Sequence, residues 1–167
     1  MFVKNFNNLL IANNYAPDQN EGSPSPMFQV VGTDGNKYTI GFQFFRNYYD
    51  GFNTKVFKID NILFGDSDIS ENYNQYNIQG NQILIDNMTI KTVYGIDENG
   101  RLELCYVVSG TPTSNGTIKE IGLIKNVYRA NESVGTSMIY REVLNSPIIL
   151  EANTPINLMF KIKLLIK

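Results

Sequence analysis

The chain has 167 residues, a formal charge of −2, 43% hydrophobic residues and 18% charged ones. That length suits one domain with a sizeable core, and so small a net charge offers no electrostatic case for binding nucleic acid or an anionic membrane. There is no histidine, no tryptophan and a single cysteine, which excludes Ser-His-Asp and Cys-His nucleophiles and Cys/His zinc sites.

The bias towards Asn (22 residues) and Ile (19 residues) matches A/T-rich codons, and Asn also suits turns because it tolerates the left-handed region. No apolar run approaches the roughly 18 residues of a membrane span, and the amino terminus makes a poor secretory signal. The expectation is a soluble, turn-rich chain without a cofactor.

In chain order, Phe2, Phe6, Leu9 and Leu10 share helical spacing. They suggest a short amphipathic helix that lies on its own domain or serves as an arm reaching a neighbour. Pro17 to Pro26 reads as a linker, so residues 1–26 form an arm-and-linker segment and 27–167 the folded domain. If the arm docks on a neighbour, its removal should leave a folded monomer that fails to assemble.

Met27 to Phe45 reads as a hairpin around Thr33-Asp34-Gly35-Asn36. The aromatic run that follows holds Phe42, Phe44, Phe45, Tyr48, Tyr49 and Phe52. It reads as core strand and Tyr-rich loop, or as a subunit interface, since rings dominate interface hot spots. A sugar-stacking platform on Tyr48 and Tyr49 is a third reading.

Lys58 to Phe64 predicts a strand closed by Gly65-Asp66-Ser67-Asp68. Asp60, Asp66 and Asp68 could offer oxygen ligands to Ca²⁺, but they do not follow the EF-hand spacing and Asp-Ser-Asp is common turn chemistry, so no metal is assigned. Ser70 to Gly80, rich in Asn, Gln and Tyr, reads as a loop. Asn81 to Tyr94 and Arg101 to Tyr106 alternate as strands around Asp97-Glu98-Asn99-Gly100, a strong hairpin turn.

Ser109 to Gly116 reads as a loop and Thr117 to Ile124 as a strand. A polar excursion covers Asn126 to Gly135, followed by a strand over Thr136 to Leu144 and a short edge over Ser146 to Leu150. From Pro155 to Lys167 a period of two runs through Ile156, Leu158, Phe160, Ile162, Leu164 and Ile166, the pattern of a long strand with one buried face. Asn-x-Ser/Thr triplets at Asn87, Asn115 and Asn131 read as chance in so Asn-rich a chain. Cys105 reads as a buried thiol.

About eight strands separated by turn chemistry predict an all-β, two-sheet antiparallel sandwich, jelly-roll-like or immunoglobulin-like. Four carboxylates, Glu103, Glu120, Glu142 and Glu151, stand apart along the chain, and nothing in the spacing pairs two of them for acid/base work. Glu103 and Glu120 are expected on wet faces, Glu120 alternatively beside Arg129 or Arg141. Gly122, in mid-strand, is expected to admit a bulge or a neighbouring backbone.

Three stretches carry a resemblance: Ile59-Asp-Asn-Ile-Leu-Phe-Gly65, Asn115-Gly-Thr-Ile-Lys-Glu-Ile-Gly-Leu123 and Arg141-Glu-Val-Leu-Asn-Ser-Pro-Ile-Ile-Leu150. Together they resemble a family of tailed-bacteriophage virion structural proteins with an N-G-T-I-x-E-I-G-L signature, over roughly residues 58–167. This chain departs from that family's Gly-Thr-Gly loop at Gly65 to Asp68, and carries Ile124 where an aromatic is usual. The resemblance implies a non-enzymatic component of a tail, collar, fibre or head surface, located in the virion and made in the host bacterial cytoplasm. The partners it implies are copies of itself and other virion proteins. Phe2, Phe6, Phe42, Phe44, Phe45, Tyr48, Tyr49 and Phe52 are then the expected interface residues. A carbohydrate- or receptor-binding module that recognises a host-surface glycan is the alternative.

Overall fold

Alternating apolar residues make each long strand of this chain two-faced, and two sheets bury those faces against each other. The computed structural model describes residues 2–5, 28–40, 59–96, 98, 102–129 and 132–163. Among these residues nine strands follow one another: β1 (Phe28–Val31), β2 (Lys37–Ile40), β3 (Asn61–Gly65), β4 (Gln82–Ile83), β5 (Ile85–Ile96), β6 (Leu102–Pro112), β7 (Gly116–Arg129), β8 (Glu132–Leu150) and β9 (Ile156–Lys163). A four-stranded sheet has the order β4-β3-β7-β8 and a three-stranded sheet the order β5-β6-β9, with β1-β2 a separate hairpin. All the pairings are antiparallel, so the expected all-β antiparallel sandwich is what the chain forms.

The core lies between the two sheets. Ile62 and Phe64 of β3, Ile118, Ile121 and Leu123 of β7, and Ile139 and Leu150 of β8 meet Leu104, Tyr106 and Val108 of β6 and Phe160 and Ile162 of β9. The Phe64 and Phe160 rings sit 5.7 Å apart at a tilt. The period-two reading of the last strand holds over the described part: Ile156, Leu158, Phe160 and Ile162 face inward while Met159 is 61% exposed. Leu164 to Lys167 lie outside the described residues. Cys105, on the outer face of β6, is a buried free thiol as expected.

Several boundaries differ from the sequence reading: β3 starts at Asn61, later than expected, and the Asn81–Tyr94 run is split at Leu84 into β4 and β5, while other strands are longer. Ser109 to Pro112 continue β6 rather than opening a loop, and the polar stretch after Asn126 continues a β7–β8 ladder through Asn126↔Thr136, Val127↔Gly135 and Arg129↔Glu132. Ladder hydrogen bonds there outweigh the weak strand preference of polar side chains. Ser146 to Leu150 is not a separate edge but the end of β8. Pairing lapses between Val143↔Glu120 and Ile148↔Ile118, which is where Pro147, lacking an N–H, is accommodated. Asp97, Asn99 and Gly100 lie outside the described residues, although Ile96↔Leu102 pairing shows that β5 and β6 form the expected hairpin.

The chain changes sheets at Leu84, at Thr113 to Asn115 and at Glu151 to Pro155, and these three corners are tied together. Thr113 N donates to Leu84 O (3.2 Å) and Asn153 N to Pro112 O (3.0 Å), while Asn115 Oδ1 accepts from Ala152 N (2.8 Å). Asn153 takes a positive φ of 61°, a conformation that Asn tolerates well.

The outer face of the four-stranded sheet is also covered. Val3 (1% exposed) packs with Ile124 and Met138 in a second small core, and Val3 N donates to Ile139 O (3.1 Å). Buried Asn5 donates through Nδ2 to Val31 O (2.7 Å) and Met138 O (3.2 Å) and accepts from Val31 N (3.0 Å). Phe2 to Asn5 therefore belong to the packed domain of their own chain. That revises the expectation for truncation. Removing residues 1–5 should cost about 2–4 kcal/mol, from exposure of the Val3 pocket and loss of the Asn5 bonds. A urea titration with an unchanged midpoint would refute this.

Candidate functional site

A fully buried polar cluster starts from two residues of the stretches that carry the resemblance. Glu120, on β7, and Arg141, on β8, are both 0% exposed, and Arg141 Nε donates to Glu120 Oε2 at 2.6 Å. The wet-face expectation for Glu120 is thus overturned, and pairing with Arg141, the stated alternative, is what occurs. The cause is a cover that periodicity does not reveal. The connection from Asp66 to Asn81 folds over this face as a compact Ω-loop, a loop type that often carries function.

The ion pair holds that loop from beneath. Glu120 accepts from Gly80 N (2.6 Å) and from Gln79 N (3.0 and 3.1 Å). Arg141 Nη1 donates to Gln75 Oε1 (3.0 Å) and Nη2 to Ile69 O (2.8 Å). Two buried charges are tolerated only when their remaining donors and acceptors are satisfied in this way. Gly65 leaves room for the carboxylate: a Cβ there would lie 2.5 Å from Glu120 Oε1. Gly122 sits under Ile78 and Met138, whose side chains would be 3.1 and 3.0 Å from a Cβ. The close neighbours at Gly122 are therefore side chains rather than a neighbouring backbone, while the β7–β8 register shifts one residue on, between Leu123 and Ile124, close to the bulge that is the other expectation.

Further contacts fix the loop's rim. Asp66 closes its base by accepting from Asn81 N (2.7 Å) and Asn81 Nδ2 (3.0 Å). Glu71 Oε1 accepts from Val143 N (2.8 Å) on β8, Lys4 N donates to Tyr73 O (2.9 Å), and Asn77 Nδ2 donates to Thr33 O (3.0 Å) in the β1–β2 turn. In that turn Asp34 Oδ2 accepts from the Tyr38 hydroxyl (2.7 Å) and Oδ1 from Asn36 N (2.9 Å). Gly35 supplies the positive φ of 81° that the turn requires.

These bonds set a pH response. The Asp34 carboxyl is held below its usual range chiefly by the Tyr38 hydroxyl, Asp66 by the Asn81 side chain and Glu71 by the Val143 N–H. Groups with depressed folded values stabilise the fold above their unfolded values, and that contribution fades as pH falls through the folded ones. Hydrogen exchange in residues 66–81 should accelerate as pH is lowered below about 4, after correction for the intrinsic rate, before the β6–β9 ladder is affected. Equal protection of both regions throughout would contradict it.

The sequence-selected residues fall as follows. Phe2 packs edge-on against Tyr140 of its own chain, with ring centroids 5.1 Å apart. Phe6, Phe42, Phe44, Phe45, Tyr48, Tyr49 and Phe52 lie outside the described residues. Asp60 and Asp66 stand at opposite ends of β3, roughly 20 Å apart at strand rise. Asp60 accepts from Asn126 N (2.8 Å) and Asp68 lies 3.7 Å from Lys119. The three carboxylates do not converge, and no metal-holding cluster occurs among the described residues. Glu103, 3.2 Å from Lys161 on the neighbouring strand, and Glu142, which accepts from the Tyr140 hydroxyl at 2.8 Å, are on different sheets.

Large apolar side chains remain exposed at both ends of the sandwich, with Tyr94 (50%) and Ile96 (75%) on β5 near the β5–β6 turn, and Leu84 (56%) and Ile149 (81%) near the tied corners. No protein-family model, curated protein or solved structure matches the chain.

Proposed function

We propose that this chain is a non-enzymatic structural component of a tailed-bacteriophage virion, acting by assembly with copies of itself and with other particle proteins. The observation that carries the reading is the place of the Asn115–Leu123 stretch, through which the chain resembles that family. From Gly116 on it forms the first part of β7, the strand paired on one side with β3 and on the other with β8.

Three of its residues serve architecture. Asn115 ties two corners, Glu120 clasps the Ω-loop, and Gly122 admits Ile78 and Met138. That use of the stretch supports reading it as part of a structural scaffold. The exposed apolar residues at the two ends of the sandwich supply contact surface of the kind that interfaces bury, and closed symmetric oligomers are the usual product of self-association.

The test is quantitative mass spectrometry on purified particles of the phage that encodes the chain. The reading expects the chain at a fixed copy number per particle, retained through a density gradient and a high-salt wash. Its presence in infected cells but not in particles would reject the reading.

A further inference from the structure

Between the β1–β2 turn and the Ω-loop lies an open cavity of about 490 Å³, within the size range of small-ligand sites. Its walls include Asp34, Asn72, Asn74, Tyr76, Asn77 and Gln79, with Ile78 at the apolar inner side. From these residues we infer that the cavity is a binding site for a neutral oligosaccharide.

The chemistry of the walls points to sugars. A pyranose presents adjacent hydroxyls, each both donor and acceptor, around faces that carry C–H groups. Side-chain amides offer a donor and an acceptor in one plane, and a carboxylate adds acceptor capacity. Among the described residues, the side-chain amide of Asn74 and the phenol of Tyr76 make no hydrogen bond, and the Gln79 carbonyl oxygen is likewise unoccupied. Tyr76 is 43% exposed and rests beside Gly35, whose Cβ, if present, would be 3.6 Å from its hydroxyl. It therefore offers an amphipathic ring to a sugar face.

Charge selects among sugars. Among the described residues that line the cavity, Asp34 is the only one with a charged side chain, and it is an acid. An anionic sugar would meet a carboxylate with no cation among the described lining residues, which disfavours sialylated ligands.

The cavity is also held in shape before any ligand arrives. The Glu120–Arg141 pair fixes the loop at Ile69, Gln75, Gln79 and Gly80, and Asn77 ties it to Thr33. Preorganisation of this kind lowers the ordering cost of binding. It also gives the buried ion pair a role beyond stability, since such pairs add little net stability themselves.

The site is separate from the virion reading, and the two fail independently: particle content says nothing about sugar binding. The test uses the full chain labelled with ¹⁵N. It is titrated with neutral hexose and N-acetylhexosamine oligosaccharides and with their sialylated counterparts. The expected result is saturable amide shifts confined to residues 33–36 and 72–79 with at least one neutral sugar. Tyr76→Ala should weaken that binding about tenfold, the loss of one ring contact and its buried area, with an unchanged melting temperature. Asn74→Ala should weaken it in the same direction, and Tyr76→Phe should retain most of it. No saturable shift with any neutral member, shifts centred elsewhere, a preference for sialylated members, or undiminished binding by both Tyr76→Ala and Asn74→Ala would each overturn the proposal.

Discussion

Arg141→Ala is expected to lower the unfolding free energy by about 3–5 kcal/mol, the usual cost of stranding one partner of a buried charge pair. For a chain of this size that corresponds to a fall in melting temperature of roughly 10 °C. The reason is local and countable. Without the guanidinium, the Glu120 carboxylate keeps its bonds from Gln79 N and Gly80 N but loses the countercharge paired with it in a fully buried position. Gln75 Oε1 and Ile69 O lose donors at the same time.

Glu120→Gln should fall in the same range, because it leaves Arg141 charged and buried. The double variant Glu120→Gln/Arg141→Ala should be less destabilised than the sum of the two single changes, since it removes both charges together. Urea denaturation of the four proteins gives the coupling directly. Additive losses would mean that the 2.6 Å contact contributes nothing specific.

The second large effect tests the inward face of the last strand. Phe160→Ala should cost about 3–5 kcal/mol, because the ring is 7% exposed and packs against Phe64 across the two sheets. Met159→Ala, one residue earlier and 61% exposed, should change stability by less than about 0.5 kcal/mol. Adjacent residues with opposite outcomes are the signature of a period-two strand. A one-residue slip of register would exchange them, so similar losses at both positions, read by thermal or urea melting, would refute the pairing of β9 with β6.

Much of the fold was legible in the chain because its signals are local. Alternation from Ile156 to Ile162 and the Asp34-Gly35 turn each depend on neighbours within a few residues, and both appear as expected. Cys105 likewise lies buried in its strand. The misjudged features depend on contacts across long separations. Glu120 looks solvent-facing because it is a charged residue set among apolar ones, yet the loop that covers it comes from forty residues earlier in the chain.

Val3 and Asn5 are similar: their partners are Ile139, Met138 and Val31, and no period within the first ten residues could name them. The polar ladder beyond Asn126 was missed because backbone pairing, not side-chain pattern, extends those strands. The cavity was the least legible feature. Its only sequence signal was the Asn, Gln and Tyr content of residues 70–80, which also describes an ordinary loop. Its shape arises only when that loop is clasped from beneath and set opposite the Asp34 turn.

The measurement that bears most directly on the assembly account is a cryo-electron-microscopy map of the phage particle at side-chain resolution. The account predicts symmetry-related copies of this sandwich, with Tyr94 and Ile96, or Leu84 and Ile149, buried against neighbouring subunits and the Glu120–Arg141 clasp intact within each copy. A complete map in which every density is assigned to other chains would contradict it.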